Sequence, residues 1–229
     1  MSRVAMISGA NRGLGAAIAR ELSAQGWSLS LGMRAPAPLD GVSAKDALLH
    51  RYDATEGGEA DWVAATVARF GRIDAIVANA GVVSRSSVIE AEDDELDALL
   101  AVNVKAPRRL AKAAWPALCA SGRGRVIVMS SLAGKRIKSV GAGLYAMSKF
   151  AATALAHGVR QAGWEKGVRA TAVCPGFVAT RMGRAAGGPA DEQMTQPEDV
   201  ARIVAMLLDL PNEASVAEFT VNCVLEPSL

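Results

Sequence analysis

The sequence predicts an α/β fold, a doubly wound parallel sheet of about seven strands with helices on both faces. Short apolar, partly β-branched runs alternate along the chain with longer amphipathic segments, which is the pattern of successive βαβ units. Hydrophobic residues make up 51% and charged residues 21% of the 229 residues, a balance that supports one sizeable core. We therefore predict a single domain over residues 1–229.

The first half of the chain supplies four predicted strands and two helices. In the first helix Leu14, Ile18 and Leu22 recur on one face, and Gly26 closes it. A turn with two prolines at 36–38 separates the second strand from the third. The predicted strands are 3–8, 27–33, 46–53 and 73–81, and the predicted helices are 13–26 and 58–70.

The second half continues the alternation with three more strands. A long Ala/Leu-rich helix is predicted over 93–120, where Pro107 and Pro116 should bend or interrupt it. The stretch 181–196 is Gly-rich and without strong periodicity, which predicts a mobile loop. Strands are predicted at 124–131, 168–176 and 217–225, and further helices at 144–165 and 196–211.

Charge and composition exclude several classes of protein. The 25 basic and 23 acidic residues are interspersed and give a net charge of +2, which argues against nucleic acid or an anionic membrane as a partner. No secretory signal or membrane-spanning run is recognisable, so a cytoplasmic location is expected. Three widely spaced cysteines fit reduced thiols, and two isolated histidines, His50 and His157, are expected to be structural, so no metal site is predicted.

A glycine-rich loop follows the first predicted strand. Gly9, Gly13 and Gly15 lie in a strand-to-helix turn, where the absence of side chains lets the backbone approach a pyrophosphate at a helix N-terminus. Their spacing differs from the more widely quoted dinucleotide fingerprint, and a simple tight turn is the alternative reading. Asn11, Arg12 and Leu14 occupy the positions between these glycines and belong to the same predicted site.

Polar and small residues follow the third and fourth predicted strands. Asp53 ends the third strand, where a carboxylate can accept a hydrogen bond from an adenine amino group, although a turn aspartate is an equal alternative. Asn79, Ala80 and Gly81 end the fourth strand and leave room for a ribose across the strand ends. Both groups are expected at the carboxyl edge of the sheet.

A tyrosine and a lysine share one face of a predicted helix. Tyr145 and Lys149 are four residues apart, and a nearby ammonium lowers the pKa of a phenol, which makes Tyr145 a candidate general acid/base. An exposed tyrosine beside a solvated lysine is the alternative. Ser131 follows the fifth strand, where its hydroxyl can hold a carbonyl oxygen close to that tyrosine.

The order of these motifs resembles that of the short-chain dehydrogenase/reductase family along essentially the whole chain. "SGANRGLG" is similar to the family's cofactor loop, "DAT" to its adenine-side acid, "ANAG" to its strand-four motif and "VNV" to its mid-helix asparagine. "SSLAG" resembles its catalytic serine segment, "YAMSK" its Tyr-x-x-x-Lys motif and "CPGFVAT" its nicotinamide-side loop. The resemblance implies a Rossmann-type fold.

The resemblance also implies roles for individual residues. Tyr145 would donate a proton to a carbonyl oxygen during hydride transfer, Ser131 would orient that carbonyl, and Lys149 would bind the nicotinamide ribose and depress the tyrosine pKa. Asn103 would hold a water that links Lys149 to solvent. The register of "LAG" selects Ser131 over its neighbour Ser130. Pro175, Gly176, Val178 and Thr180 would contact the carboxamide end of the cofactor.

The charges near the second strand favour NADP(H) as the cofactor. NAD-preferring members of the family usually place an acid at the end of this strand, whereas this chain has Arg34 there. Arg12 lies in the glycine loop on the same side, so two guanidiniums could hold a 2′-phosphate. The alternative is two solvated arginines.

The expected substrate is a small carbonyl compound or secondary alcohol. The C-terminal "AEFTVNCVLEPSL" lacks the Gly-Gly strand of many members and looks more like members that act on small 3-hydroxy acids. Family habit implies a homodimer or homotetramer. A second hypothesis is a non-catalytic NADP(H)-binding regulator or scaffold, but the Ser, Tyr, Lys and Asn positions are intact. A third, an extended-type epimerase or dehydratase, would need a different glycine spacing and an added C-terminal region.

Several cations in the loops suggest a feature of the substrate. They could attract a substrate carboxylate, although cations in loops are more often simply solvated. Three follow the catalytic serine and two lie in the predicted mobile loop, namely Lys135, Arg136, Lys138, Arg181 and Arg184.

Overall fold

The computed structural model describes residues 2–225 and contains a seven-stranded sheet in which all neighbouring strands are parallel. The strand order is β3-β2-β1-β4-β5-β6-β7, so the chain reverses direction across the sheet between β1 and β4. The predicted doubly wound fold is confirmed. The strands are β1 Val4–Ser8, β2 Ser28–Met33, β3 Ala47–Arg51, β4 Ala75–Ala78, β5 Arg125–Met129, β6 Arg169–Pro175 and β7 Glu218–Val221.

Seven α-helices surround the sheet in the described part of the chain. Helices α1 and α7 pack against each other on one face, and α2, α4 and α5 cover the other. β1, β2, β4 and β5 are buried along their whole length, as expected for a parallel sheet covered on both faces. The helices are α1 Gly13–Ala24, α2 Glu59–Phe70, α3 Asp93–Leu100, α4 Ala106–Ala120, α5 Gly143–Gly163, α6 Arg181–Ala185 and α7 Pro197–Asp209.

Alternation along the strands divides the core into two layers. In β1, Ile7 packs with Ile18 of α1 and Val204 of α7, whereas Met6 faces Trp62 of α2 and Leu110 of α4. This is the two-residue period of a strand, which sends successive side chains to opposite faces. The two apolar layers fix the sheet between the helices and hold the carboxyl ends of its strands in register.

The long helical segment predicted over 93–120 is irregular at a different place from the one expected. Residues Ala101–Lys105 form a π-helical turn between α3 and α4, upstream of Pro107. Pro107 lies in the first turn of α4, where a missing N–H is tolerated, and Pro116 lies inside the same helix. Asn103 lies at the centre of this π-helical turn, which inserts one extra residue into the helical repeat.

The stretch after β6 is more regular than the sequence predicts. The expected loop over 181–196 contains the short helix α6 and a 3₁₀ turn at Asp191–Gln193, and Val178 forms a bridge with Thr195. The predicted seventh strand, 217–225, is shorter than expected, because β7 ends at Val221. The last four residues of "AEFTVNCVLEPSL", 226–229, lie outside the described residues.

His157 belongs to a polar cluster that its isolation in sequence did not suggest. Glu218 of β7 contacts both Lys135 and His157 of α5, with 2.6 Å from the His157 Nε2 to the Glu218 Oε1. The hydrogen bond from Lys135 and that from His157 lower the pKa of Glu218. The cluster ties the loop after β5, α5 and β7 together, which agrees with a structural role for His157.

No helix among residues 2–225 has both the length and the apolar character needed to cross a bilayer.

Candidate active site

The predicted site residues lie at the carboxyl edge of the sheet, around the point where the strand order reverses. Ligands of open parallel sheets bind at this reversal, because the loops on its two sides diverge and leave a crevice. A cavity of about 1390 Å³ occupies it, more than the ~300–1,000 Å³ typical of a site for one small molecule. Every predicted site residue except Gly15 and Asn103 lines this cavity.

Two polar side chains hold the loops after β1 and β4 together. The Ser8 hydroxyl accepts hydrogen bonds from the backbone N–H groups of Asn79 and Ala80, each at 3.0 Å. The Asn79 side-chain amide donates to the carbonyl oxygens of Ser8 and Gly9, at 3.0 and 3.3 Å. Asn79 directly follows β4, and its side-chain amide therefore fixes the loop after β1 to the end of β4. Ala80 and Gly81, which come next in the chain, line the cavity.

The glycine loop has the backbone that the site requires. Gly9 and Gly13 have positive φ angles of 66° and 53°, which favour glycine. A Cβ on Gly15 would lie 2.3 Å from the Gly9 carbonyl oxygen, so only glycine lets α1 begin this close to the loop. The open turn at the N-terminus of a twelve-residue helix fits the pyrophosphate of a dinucleotide.

Charged residues surround the cavity at its β2 side. Arg12 and Arg34 line it with exposed side chains, and no acid follows β2. Asp53 lies two residues beyond β3 rather than within the strand, and its Oδ1 accepts hydrogen bonds from the Thr55 N–H and hydroxyl. These bonds, with a smaller contribution from Arg34, lower the pKa of Asp53. A carboxylate and two guanidiniums thus frame this end.

The three catalytic candidates lie together at the opposite end of the cavity. Ser131 lies two residues beyond β5 and lines the same cavity as Tyr145, which lies near the start of α5. The Ser131 hydroxyl accepts a hydrogen bond from the Ala133 N–H at 3.1 Å and donates to the Pro175 carbonyl oxygen at 3.5 Å. Lys149 lies one turn further along α5, with its Nζ 5.7 Å from the centre of the tyrosine ring. The Nζ donates to the Met129 carbonyl oxygen at 2.8 Å.

The expectation that Lys149 lowers the tyrosine pKa is not met in this arrangement. Burial raises the pKa of Tyr145 to about 12, and the hydrogen bond from Ser131 lowers it only in part. Burial also lowers the pKa of Lys149 to about 8. The physical reason is that both groups lose hydration at the cavity wall, while the lysine directs its protons at a backbone carbonyl and not at the phenol.

Ser130 and Ser131 face different surroundings, as the motif register predicts. Ser130 is buried, and its hydroxyl contacts the Lys149 carbonyl at 3.0 Å and the Thr153 hydroxyl at 2.7 Å. It anchors β5 to α5 and does not compete for the position beside Tyr145. Ser131 is half-buried, and its hydroxyl opens toward the cavity.

Asn103 occupies the π-helical turn but is fully engaged by protein groups. Its Oδ1 accepts from the Val82 N–H, and its Nδ2 donates to the Val82 carbonyl and the Ser148 hydroxyl, all at 3.0 Å. The Ser148 hydroxyl in turn donates to the Tyr145 carbonyl. Both amide protons are therefore used to connect the loop after β4 with α5, so the side chain positions the Tyr145 helix.

Several residues that line the substrate side of the cavity are not predicted from the sequence. Val82 and Arg85 come from the loop after β4, Val140 from the turn before α5, and Phe177 and Met182 from the segment after β6. No local pattern marks them, because three separate segments of the chain contribute them. The Gly13 Cβ position lies 3.5 Å from the Thr180 Cγ2, so the glycine loop and the segment after β6 approach each other across the cavity.

Among residues 2–225, no group of three or more His, Cys, Asp or Glu side chains could hold a metal ion.

The family assignment follows from comparison with known proteins. A family profile described as short chain dehydrogenase matches residues 3–189. The chain belongs to the short-chain dehydrogenase/reductase family. Members of this family are oxidoreductases that transfer a hydride between a nicotinamide cofactor and a small molecule. The resemblance stated from the motif order is confirmed.

Similar proteins support the same family assignment. Agropine synthesis reductase of Rhizobium rhizogenes is 37% identical over 98% of this short-chain dehydrogenase/reductase, and the match covers 53% of that protein, so the chain spans about half its length. A metagenomic short-chain oxidoreductase solved in complex with NADP is 32% identical, with a TM-score of 0.81 and 98% of each chain covered. An alcohol dehydrogenase from the archaeon Thermococcus sibiricus, complexed with 5-hydroxy-NADP, is 30% identical, with a TM-score of 0.85 over 100% of each chain.

Proposed function

We propose that this protein is an NADP(H)-dependent carbonyl reductase or alcohol dehydrogenase with Tyr145 as its general acid/base. The observation that carries the proposal is the grouping of Tyr145, Ser131 and Lys149 on one wall of a cavity whose other end carries a glycine cradle. A non-catalytic regulator would need no hydroxyl, phenol and ammonium grouped on that wall.

The cofactor end of the cavity suits a phosphorylated dinucleotide. The glycine loop would hold the pyrophosphate, and Asp53 the adenine amino group. Arg12 and Arg34 would hold the 2′-phosphate through charge-assisted hydrogen bonds, since no carboxylate follows β2 to repel it. The loop after β6 supplies Pro175, Gly176, Val178 and Thr180 to the nicotinamide end. Two solved relatives bind NADP or a hydroxylated NADP, which agrees with this assignment.

The chain's own residues account for the proton transfer. When bound, NADP(H) supplies or accepts the hydride. The Ser131 hydroxyl would hold the substrate oxygen next to Tyr145, and the phenol would donate its proton to that oxygen in reduction. A tyrosine pKa of about 12 keeps the phenol protonated at neutral pH, as a general acid requires. Lys149 would bind the nicotinamide ribose, and Asn103 would position the helix that carries Tyr145 and Lys149.

Fluorescence titrations with NADPH and NADH test the cofactor assignment. Four tryptophans provide energy transfer to the reduced nicotinamide, so binding can be followed without substrate. We expect NADPH to bind more tightly, and Arg34→Asp to weaken NADPH binding by about tenfold or more while sparing NADH, because it places a carboxylate against the 2′-phosphate. Equal affinities for both cofactors in the unmodified protein would contradict the assignment.

The Tyr145→Phe variant tests catalysis separately from binding. It removes only the phenolic oxygen, so we expect NADPH affinity to stay within about twofold while carbonyl reduction falls by at least about 10²-fold. Turnover that survives this substitution would exclude Tyr145 as the general acid. An unmodified protein that binds NADPH but reduces no carbonyl compound would instead support the regulator hypothesis.

A further inference from the structure

The substrate side of the cavity carries positive charge that the proposed reaction does not use. Among the lining residues that the structure describes, the one acid is Asp53, which lies at the far end beside Arg34. The Tyr145 end is lined by Val82, Val140 and Met182 together with arginine side chains. Positive charge on the wall of a cleft attracts anionic ligands.

Two of these arginines have no ion-pair partner among residues 2–225. Arg184 forms an ion pair with Asp191 at 2.6 Å. Arg85 and Arg181 are exposed, and neither contacts a described carboxylate. The strongest contact of Arg85 is a hydrogen bond from its Nη1 to the Ala185 carbonyl oxygen at 3.4 Å.

Backbone contacts place Arg85 between the catalytic helix and α6. A Cβ on Gly141, four residues before Tyr145, would lie 2.7 Å from the Arg85 carbonyl oxygen. At its other end, the Arg85 Nη2 lies 3.7 Å from the Cβ position of Gly187, just beyond α6. The side chain therefore reaches from the start of the Tyr145 helix to the segment that carries Arg181.

The orientation of Arg85 leaves a two-donor edge for a ligand. Its Nη1 is engaged by Ala185, whereas Nε and Nη2 donate to no group in the described part of the chain. Parallel N–H groups on one edge of a guanidinium match the two oxygens of a carboxylate. Arg85 lines the same cavity as Tyr145 and Ser131.

We propose that the substrate is a carbonyl compound that bears a carboxylate, which Arg85 binds and Arg181 attracts while the carbonyl faces Tyr145 and Ser131. This inference rests on the proposed function, because it names the substrate class of the same site. It assigns Arg85 as a specificity-determining residue. Because the structure sets no single spacing between the carbonyl and the carboxylate, the test uses 2-oxo, 3-oxo and 4-oxo acids.

The test compares each oxo acid with its methyl ester, which keeps the shape and removes the charge. Binding to the protein loaded with NADP⁺ is measured by calorimetry, and reduction with NADPH is measured in parallel. We expect at least one acid to bind about tenfold or more tightly than its ester at low salt, because a charge-assisted pair is lost in the ester. Acids and esters that bind equally throughout the panel would overturn the inference.

Matched arginine variants locate the effect. Arg85→Gln should remove the preference for the acid and leave ester binding unchanged, and Arg181→Gln should reduce the preference less. Arg108→Gln is the control, since Arg108 is exposed on α4 and does not line the cavity. An Arg85→Gln variant that weakens acid and ester equally would show a structural role and overturn the assignment.

Binding and turnover distinguish failure of the inference from failure of the proposed function. Reduction of esters as efficiently as acids, with no difference in binding, overturns the carboxylate site and leaves the reductase intact. If a preference for acids in binding is accompanied by no reduction of any carbonyl, the anion site stands and the proposed function is wrong. NADPH affinity, measured for every variant, confirms that each one folds.

Discussion

At the scale of single residues, the site depends on groups whose hydration the fold has removed. Lys149 is buried, and its ammonium is satisfied by one backbone carbonyl. Burial raises the pKa of Tyr145 to about 12. Such groups serve chemistry at the expense of stability, because a buried charge is less well solvated than in the unfolded chain.

This leads to a prediction for Lys149. Its pKa falls from 10.5 to about 8, so the stability linked to this group is complete above pH 10.5 and is lost as the pH falls through about 8. We expect Lys149→Met to raise the free energy of unfolding at pH 7 by about 1–3 kcal/mol and to abolish most turnover. Urea unfolding at pH 7 and pH 10 measures the effect, which should shrink at the higher pH. A variant less stable than the parent at pH 7 would contradict this reading.

At the scale of elements, the site is made by close crossings between secondary-structure elements. α1 begins against the glycine loop because Gly15 has no side chain, and Asn79 holds that loop to the end of β4. The π-helical turn between α3 and α4 brings Asn103 onto the backbone of Val82. Each crossing aligns one wall of the cavity, so its disruption should affect binding before it affects the whole fold.

Gly15→Ala tests the crossing of α1 with the loop. The new Cβ would lie 2.3 Å from the Gly9 carbonyl oxygen and 2.6 Å from the Asn79 Nδ2, so the loop must move. We expect a loss of about 1–3 kcal/mol of stability and at least about tenfold weaker NADPH binding. Thermal unfolding and the fluorescence titration measure both quantities.

Gly158→Ala is the matched control for this substitution. Gly158 lies inside α5, and its added Cβ would have no neighbour within 4 Å. Alanine is favoured over glycine in a helix by up to about 1 kcal/mol, so this variant should be as stable as the parent or more so, with unchanged NADPH binding. Equal behaviour of the two variants would show that the crossing at Gly15 is not tightly packed.

At the scale of the whole molecule, the order of the strands determines where the cavity lies, and the outer helices form the surface available for contact with other molecules. The cavity lies at the strand-order reversal between β1 and β4, so its position follows from topology. On the outer surface, α5 exposes Met147 and Phe150, which lie three residues apart and therefore on one face. Exposed apolar side chains of this kind are candidates for burial against another copy of the chain.

We expect the protein to form a homodimer or homotetramer in solution, in line with the habit of its family. Phe150→Asp should shift the population toward the monomer, because a carboxylate would be desolvated in the contact. Light scattering after size-exclusion chromatography measures the mass at several concentrations. A monomeric parent protein at all concentrations would contradict the expectation, and a variant with unchanged mass would exclude the α5 face.

The order of elements was predictable because it is written in local patterns. The strand and helix periodicities, the glycine turn and the Tyr145–Lys149 spacing each span few residues. They can therefore be recognised in the sequence without knowing how distant segments pack. The boundaries were less predictable: Asp53 and Asn79 lie just beyond their strands, and the irregular turn falls at 101–105 instead of at Pro107. Hydrogen bonds made across the sheet and between helices decide these limits.

By itself, the sequence determined the fold class, the family resemblance and the identity of the residues at the carboxyl edge of the sheet. Only the tertiary structure decided that Ser130 bonds to Thr153 of α5, that burial raises the tyrosine pKa, and that Arg85 reaches the segment around Gly187. These features depend on groups separated by up to a hundred residues in the chain and on the water that packing removes. Local patterns contain neither quantity, because distance and hydration arise only when the elements pack.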